Sequence, residues 1–253
     1  FQPIELVKPF LIIFISIILS SEKYYNIYFR YLLSFFVTLA VILFLAMQPD
    51  IGQTLLVLFT WSILIFISGI NISFIIIFSS ILIIIFSYLI IFVPKFFYIK
   101  NRLISFFDTD AGTYNFQSDK AIESIISGSF FGKGIGEGTL NSRIPEAHTD
   151  YIMSVIAEEF GVIIVTCIIL LYLVFSYRVI KKINFTENNN FKLILVGCVT
   201  IILVQTFIHV GVNIRILPTT GMTMPFLSYG GSSIIGTSIV SGIILNLTKR
   251  KLS

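Results

Sequence analysis

A short polar block at residues 145–150 carries the side chains best suited to acid–base chemistry. It reads Pro-Glu-Ala-His-Thr-Asp and runs directly into an apolar stretch. Pro145 disfavours helix immediately before itself, so Thr149 or Asp150 is placed to cap or open the following helix. Because the helix dipole stabilises a carboxylate at the N-terminus, we expect Asp150 to stay ionised. Asp150 then either only caps the helix, which spacing alone favours, or also acts as a general base.

Other polar side chains stand at helical spacing. Ser154 and Glu158 follow Asp150 at i+4 and i+8, which places all three on one helix face. Charged groups inside an apolar helix usually face the protein interior, so we expect Glu158 and Glu159 to join an internal polar network. Glu5 and Lys8 stand one turn apart, and the simplest interpretation is that they form an ion pair with each other.

Three further features have a structural interpretation. Asp50 follows Pro49 and is placed to cap a helix that begins at Ile51. His209 is predicted to be an interior histidine, because no His or Cys stands at metal-ligand spacing from it. The glycine-rich run 132–138 is predicted to be a flexible turn, since its spacing is not that of a P-loop. Contact between its backbone N–H groups and a diphosphate is the alternative.

The composition shows what kind of element positions these groups. Of the 253 residues, 56% are hydrophobic and 12% are charged, and the mean hydropathy is +0.97. A soluble domain carries roughly 25% charged residues. This chain therefore lacks the polar surface of a soluble enzyme, a nucleic-acid-binding domain or a disordered protein.

The charges are also unevenly distributed along the chain. Residues 31–93 contain a single charged side chain, whereas 13 of the 30 charges fall within residues 94–150. About 20 apolar residues are needed for one helical crossing of a bilayer. The sequence therefore predicts an all-α, polytopic bundle in one membrane domain, 1–253, with a large outer segment, 94–150. The predicted spans are 4–20, 30–47, 51–68, 71–93, 152–176, 193–211 and 232–247.

The positions of lysine and arginine predict the orientation. Residues 177–192 contain four of them, and residues 249–251 contain three. Short loops rich in Lys and Arg stay in the cytoplasm, so both segments are predicted to be cytoplasmic. Residues 94–150 and 212–231 are then on the outer side. The Pro- and Gly-rich run 217–233 is predicted to be a re-entrant or surface loop.

Four blocks together resemble the signature of a bacterial membrane protein family. Residues 1–8, 48–50, 145–150 and 218–233 are similar to the motifs of the SEDS proteins, which act in shape, elongation, division and sporulation. The blocks occur in family order and cover nearly the whole chain. The Glu-Ala-His-Thr-Asp block and the Pro-Thr-Thr-Gly loop are more similar to the division branch than to the elongation branch.

The resemblance implies a fold and an activity. The family has ten membrane helices with both ends in the cytoplasm, and this chain, which begins at Phe1, is expected to be the C-terminal portion. Its members polymerise lipid II, a disaccharide-peptide on a polyprenyl diphosphate, into glycan strands. The implied enzyme is an inverting peptidoglycan glycosyltransferase in the bacterial plasma membrane, at the division septum.

The resemblance also implies roles for residues. Asp150 matches the essential aspartate of the family and is the expected catalytic base. A departing diphosphate needs positive charge, from basic side chains, backbone N–H groups or a divalent cation such as Mg²⁺ or Mn²⁺. The expected substrate-binding residues are Glu5, Lys8, Asp50, Lys133, Arg143, Glu146 and His148.

The same resemblance implies partners, and two other functions are considered beside the enzyme. The expected partners are lipid II, a class B penicillin-binding protein that acts as transpeptidase, and other membrane proteins of the divisome, with no nucleic acid. A lipid II flippase or transporter is the second hypothesis, for which Glu158 and Glu159 within a span are the only support. A divisome scaffold that recruits the transpeptidase is the third, and it is compatible with either activity.

Overall fold

The computed structural model describes residues 2–21, 26–48, 50–73, 75–76, 80, 84, 87–88, 91–107, 116–139 and 144–249. Within these ranges the regular elements are helices, which confirms the predicted all-α class. They are α1 (Pro3–Ser20), α2 (Ile27–Met47), α3 (Ile51–Ile67), a short 3₁₀ turn (Pro94–Phe96), α4 (Phe97–Phe107), α5 (Phe116–Gly128), α6 (Ile152–Ile183), α7 (Asn189–Asn213) and α8 (Gly231–Thr248).

Five of these helices, α1, α2, α6, α7 and α8, are long and apolar enough to cross a bilayer. Helix α3 is apolar but has 17 residues. The chain is thus a multi-pass membrane protein, and six of the seven predicted spans coincide with helices. The largest boundary difference is in α6, which continues to Ile183 because its apolar stretch runs into a basic C-terminal turn. Nearly half of the predicted span 71–93 lies outside the described residues, and the described residues between 72 and 92 are helical.

Polar residues set the starts of the helices. Asp50 is the N-cap of α3, and its Oδ1 accepts a hydrogen bond from the Gln53 N–H at 3.0 Å, which confirms the predicted cap. Asn26 caps α2 in the same way, accepting from the Tyr28 N–H at 3.0 Å. Pro3 stands in the first turn of α1, where its missing N–H leaves no helical hydrogen bond unmade.

The chain divides into two compact units, each described by itself. Unit one comprises residues 1–71, 171–206 and 230–253, and unit two comprises 72–170 and 207–229. Unit one has an apolar core in which Ile12 of α1 packs with Leu195 and Ile202 of α7 and Ile244 of α8. The prediction of a single membrane domain stays a prediction.

Helix α6 is broken inside unit two. Gly161 has φ +84° and ψ 168°, which is far from helical backbone. In a continuous helix the N–H groups of Val162 and Ile163 would donate to the carbonyls of Glu158 and Glu159. The break separates these four groups, and each of them needs another partner.

The segment before α6 supplies all four partners. Residues 129–134 lie against the break and exchange backbone hydrogen bonds with it. The Lys133 and Gly134 N–H groups donate to the Glu158 and Glu159 carbonyls (2.9 and 3.0 Å), and the Val162 and Ile163 N–H groups donate to the Ser129 and Phe130 carbonyls (3.0 and 3.4 Å). One turn of helix is thus replaced by contacts with a loop, so no backbone group of this set is left unsatisfied.

Glycine makes this close approach feasible. A Cβ atom on Gly161 would lie 2.1 Å from the Phe130 carbonyl oxygen, and one on Gly132 would lie 2.2 Å from the Glu159 carbonyl oxygen. Gly132 also has a φ of +77°, a conformation that other residues rarely adopt. The prediction of a flexible turn is therefore wrong for residues 132–134, which are fixed to α6. The N–H groups of these residues are already used and are not available to a diphosphate.

Candidate active site

Asp150 lies at the end of a tight turn in unit two. The turn is closed by the Thr149 and Asp150 N–H groups, which donate to the Glu146 carbonyl at 3.1 and 3.0 Å. Glu146 has a φ of +59°, and its carboxylate accepts from the Thr149 hydroxyl at 2.9 Å. Glu146 and His148 are exposed, whereas Asp150 is half-buried. The carboxylate of Asp150 is thus held at a boundary between protein and solvent.

A second loop, residues 217–230, holds this turn from one side. The Tyr229 N–H donates to the His148 carbonyl at 2.9 Å. The Ser228 hydroxyl donates to the Thr149 carbonyl at 2.5 Å and accepts from the Met224 N–H at 2.7 Å. The structure therefore joins the blocks 145–150 and 218–233, which are separated by almost 70 residues in the sequence. The second block is irregular, as predicted, up to the start of α8 at Gly231.

Asn213, the last residue of α7, holds the turn from the other side. Its side-chain amide nitrogen donates to the Asp150 carbonyl at 3.0 Å and to the His209 carbonyl at 2.8 Å. Its amide oxygen accepts from the Ser154 N–H at 3.1 Å, near the N-terminus of α6. Asn213 is 1% exposed, so these bonds are shielded from water.

This arrangement corrects the predicted cap. Helix α6 begins at Ile152, so Thr149 and Asp150 precede its first turn. The Ser154 N–H of that first turn donates to the Tyr151 carbonyl at 3.0 Å and to the side chain of Asn213, which comes from another helix. At this position the start of α6 is therefore held by Tyr151 and Asn213.

Gly221 lies beside the carboxylate in unit two, and Arg102 bonds to the loop that contains Gly221. A Cβ atom on Gly221 would lie 3.5 Å from Asp150 Oδ2, and Gly221 has a φ of +66°. Arg102 of α4 donates to the Thr219 carbonyl at 3.1 Å. Burial raises the pKa of the Tyr151 hydroxyl, the negative charge of Asp150 raises it further, and the positive charge of Arg102 opposes both. Arg102 is thus close enough to act electrostatically on the residue beside Asp150.

Lys133 and Glu158 form an ion pair away from this turn. Lys133 Nζ lies 3.3 Å from Glu158 Oε1, which also accepts from the Thr139 N–H at 3.0 Å. Glu158 is fully buried, which confirms the predicted internal network for this residue, whereas Glu159 is half-buried. The charge of Lys133 is thereby largely compensated, so its predicted contact with a diphosphate stays a prediction. Arg143 lies outside the described residues.

The remaining predicted residues form a polar cluster in unit one. Lys8 Nζ lies 2.7 Å from Glu5 Oε2, and both residues are 2% exposed, which confirms the predicted pair. Two amides complete it: Lys8 donates to Gln205 Oε1 at 3.0 Å, and Gln53 Nε2 donates to Glu5 Oε1 at 2.8 Å. The cluster is a buried charge pair with hydrogen-bond partners on α3 and α7, although Gln53 Oε1 itself has no hydrogen-bond partner among the described residues.

Asp50 extends the same cluster. Its Oδ2 accepts from the Gln2 side-chain amide at 2.9 Å, while Oδ1 caps α3. Burial raises the pKa of the Asp50 carboxyl, and these hydrogen bonds and Lys8 partly offset that effect. The predicted residues thus fall into two sets: Glu5, Lys8 and Asp50 in unit one, and Lys133, Glu146, His148 and Asp150 in unit two. Substrate binding by either set stays a prediction.

Sequence reasoning missed four residues of these two sets. Asn213, Gln53 and Gln205 are polar amides within or at the end of apolar stretches, where an uncharged polar residue gives little signal. Arg102 did leave a signal, because a basic residue close to a predicted span on the outer side runs against the Lys and Arg bias. His209 is 1% exposed, and its Nδ1 lies 2.8 Å from the Met222 carbonyl, which confirms an interior histidine, although its Nε2 has no hydrogen-bond partner in the part of the chain that the structure describes.

A divalent cation at this site would need ligands from nearby side chains or from the substrate. In the part of the chain that the structure describes, no three His, Cys, Asp or Glu side chains are close enough together to hold a metal ion. These residues therefore do not fit a site made by protein ligands alone.

Comparisons with known proteins place the chain in a family. A family model for FtsW, RodA and SpoVE, described as "Cell cycle protein", matches residues 1–252. The chain is similar to two proteins named "Probable peptidoglycan glycosyltransferase FtsW". The one from Caulobacter vibrioides (strain NA1000 / CB15N) is 30% identical over 99% of this chain and 63% of its own length. The one from Geobacter sp. (strain M18) is 33% identical over 99% of this chain and 69% of its own length.

Solved structures agree with this result. One, described as "Structural coordination of polymerization and crosslinking by a peptidoglycan synthase complex", is 26% identical, with a TM-score of 0.79 over 100% of this chain and 71% of that chain. The rod shape determining protein RodA of Thermus thermophilus has the same fold, with a TM-score of 0.67 over 100% of this chain and 67% of that chain. The chain spans roughly two thirds of the length of these relatives. The chain belongs to the FtsW/RodA/SpoVE family of cell cycle proteins, whose model matches residues 1–252.

Proposed function

We propose that the chain is the membrane part of a peptidoglycan glycosyltransferase that polymerises lipid II during septal cell-wall synthesis. Relatives that it matches over 99% of its length carry the name peptidoglycan glycosyltransferase. The observation that carries the proposal is the position of Asp150. This half-buried carboxylate ends a turn that is hydrogen-bonded on both sides, at the start of an apolar helix.

The chemistry requires a base at this place. A sugar hydroxyl of one lipid II attacks the anomeric carbon of the other glycan, and the bond to the diphosphate oxygen breaks with inversion. Asp150 accepts the hydroxyl proton as the new glycosidic bond forms, and the bond electrons leave with the polyprenyl diphosphate. A base must keep its position relative to the hydroxyl, and the bonds from Asn213 and Ser228 to this turn supply that rigidity.

The departing diphosphate needs positive charge near the same turn. Lys133, which is paired with the buried Glu158, and Arg102, which bonds to the Thr219 carbonyl, are the candidates within unit two. Lys8 is compensated by Glu5 in unit one. A divalent cation is a further proposal. Mg²⁺ is usually held by substrate phosphates and one or two carboxylates, so it would enter with the diphosphate.

Protein partners are proposed from a solved relative. A solved relative belongs to a structure described as a peptidoglycan synthase complex that coordinates polymerization and crosslinking. By analogy, we propose that this chain works with a class B penicillin-binding protein, and with other divisome membrane proteins, at the division septum. The scaffold hypothesis is compatible with this arrangement, and recruitment of the transpeptidase by an inactive Asp150 variant would separate the two roles.

The test is polymerisation of lipid II by the full-length protein in vesicles. Asp150→Ala is expected to abolish glycan strands, because the base is lost. Glu137→Ala is the matched control, since Glu137 is an exposed acidic residue of the same outer segment. The control is expected to keep activity. Unchanged strand synthesis by the Asp150 variant would refute the mechanism, and transfer of lipid II across the bilayer without any product in the wild type would favour a transporter.

A further inference from the structure

The break in α6 lies at the edge of its apolar stretch. Residues 160–177 contain no charged side chain, and their 18 residues correspond to about 27 Å of helix. This length is close to the roughly 30 Å thickness of the hydrocarbon core. Glu158 and Glu159 directly precede the stretch, and Arg178 directly follows it. Gly161 therefore stands near the level at which hydrocarbon gives way to lipid headgroups.

The loop fixed to this break exposes large apolar side chains. Phe130 is 68% exposed, Phe131 is 84% exposed and Ile135 is 80% exposed. The neighbouring residues of α6 after the break, Val162 and Ile163, are also exposed, at 37% and 44%. Because the backbone of residues 129–134 is bonded to Glu158–Ile163, these side chains cannot move far from that level of the helix.

We propose that residues 130–135 form a bilayer anchor, with Phe130, Phe131 and Ile135 inserted among lipid acyl chains. The leaflet is the one at the N-terminal end of α6. The occupant is lipid because the patch is continuous with the exposed apolar face of a helix that is long enough to cross the membrane. Aromatic side chains are favoured at this boundary, where apolar area leaves water.

The anchor has a consequence for Asp150. The same hydrogen bonds that hold the loop also hold the first part of α6, residues 152–160, whose N-terminus follows Asp150. Nine residues of helix separate Ile152 from Gly161, which corresponds to about 14 Å. The anchor thus sets the height of Asp150 above the hydrocarbon. The anchoring itself does not depend on the proposed function, whereas this consequence does.

The test uses tryptophan as a depth probe. Trp61 is the sole tryptophan, so Trp61→Phe gives a protein without tryptophan fluorescence, into which one probe can be introduced. Phe131→Trp places the anchor probe. Tyr229→Trp places the matched control probe, because Tyr229 is 82% exposed, lies in the same unit and is bonded to the His148 backbone, before α6 begins. Full-length protein is reconstituted in phosphatidylglycerol–phosphatidylethanolamine vesicles, with or without bromine on the acyl chains.

Brominated lipid is expected to quench the anchor probe several-fold more than the control probe, while aqueous iodide quenches the control probe more. Equal quenching of the two probes by brominated lipid would overturn the proposal. An anchor probe that is shielded from both quenchers would also overturn it, since this result indicates a protein contact. Trp61 donates to Ser34 Oγ at 3.3 Å. If Trp61→Phe does not fold, Trp61 is retained and the difference in quenching from the wild type is measured, with the same two outcomes.

Discussion

Asn213 donates a hydrogen bond to the backbone carbonyl of Asp150 over 3.0 Å, although 62 residues separate them in the sequence. The same side chain accepts from the N–H of Ser154. One buried amide at the end of α7 therefore holds the residues on both sides of the α6 N-terminus. In the proposed enzyme, this amide positions the base without touching the substrate.

We predict that Asn213→Ala lowers the turnover number by up to about 100-fold, because small displacements of a catalytic group have effects of this size. The KM for lipid II is expected to change little. Leaving buried groups unsatisfied is also expected to lower the free energy of unfolding by about 1–3 kcal/mol. The measurement is initial polymerisation rates over a range of lipid II concentrations.

Ser154→Ala is the control for Asn213→Ala. It removes a buried hydroxyl that donates to the Tyr151 carbonyl at 2.7 Å, but it keeps the backbone N–H that Asn213 binds. The account expects a loss of stability with near-normal turnover. If both variants lose stability and turnover in the same proportion, Asn213 has only a structural role.

The buried pair of Glu5 and Lys8 gives a second prediction. Lys8→Met leaves Glu5 buried without its cation, and breaking a buried pair from one side destabilises by about 3–5 kcal/mol. Glu5→Gln combined with Lys8→Met removes both charges, and most of the stability is expected to return. Thermal unfolding in detergent measures each variant.

The same double variant separates structure from substrate binding. A stable but inactive protein would support the expected contact of this pair with substrate. Normal activity would restrict Glu5 and Lys8 to a structural role. A double variant that is less stable than Lys8→Met would contradict the account of the cluster as a compensated charge pair.

Two glycines of α8 give a third prediction. A Cβ atom on Gly236 would lie 2.4 Å from the Glu5 carbonyl oxygen, whereas one on Gly242 has nothing within 4 Å. Gly236→Ala is expected to force α1 and α8 apart and to lower the melting temperature. Gly242→Ala is expected to be neutral or to stabilise by up to about 1 kcal/mol, because alanine favours helix. Equal melting temperatures would show that the α1–α8 contact is not tight.

The sequence was informative where local pattern decides the structure. Hydropathy placed six helices, and the proline and aspartate at 49–50 predicted the cap of α3. The spacing of Glu5 and Lys8 predicted their pair, since i,i+3 neighbours meet on one face. The break at Gly161 was not predicted, because a glycine within an apolar run looks the same in a straight helix as in a broken one. Its partners are backbone groups of another segment, which have no signature in side-chain types.

The candidate site shows the same division. Asp150 is a carboxylate directly before an apolar helix, so its residue type and its position in the sequence identify it as a candidate base. Asn213 reaches this turn from α7, whereas Arg102 reaches the neighbouring loop 217–230 from α4, and only the tertiary fold brings them there. Sequence periodicity does not encode contacts between distant segments. The residues that hold the turn at 145–150 were therefore not predicted, although the turn itself was.

The central claim is that the Asp150 carboxylate takes a proton during glycosyl transfer. Asp150→Asn retains the size of the side chain and removes its basicity, so it tests this claim most directly. The measurement is the single-turnover rate of glycosidic bond formation by full-length protein at saturating lipid II, with lipid II binding measured in parallel. We expect unchanged binding and a rate about 10²–10⁴-fold lower, the usual contribution of general base catalysis. A rate within a few-fold of the wild type would contradict the claim.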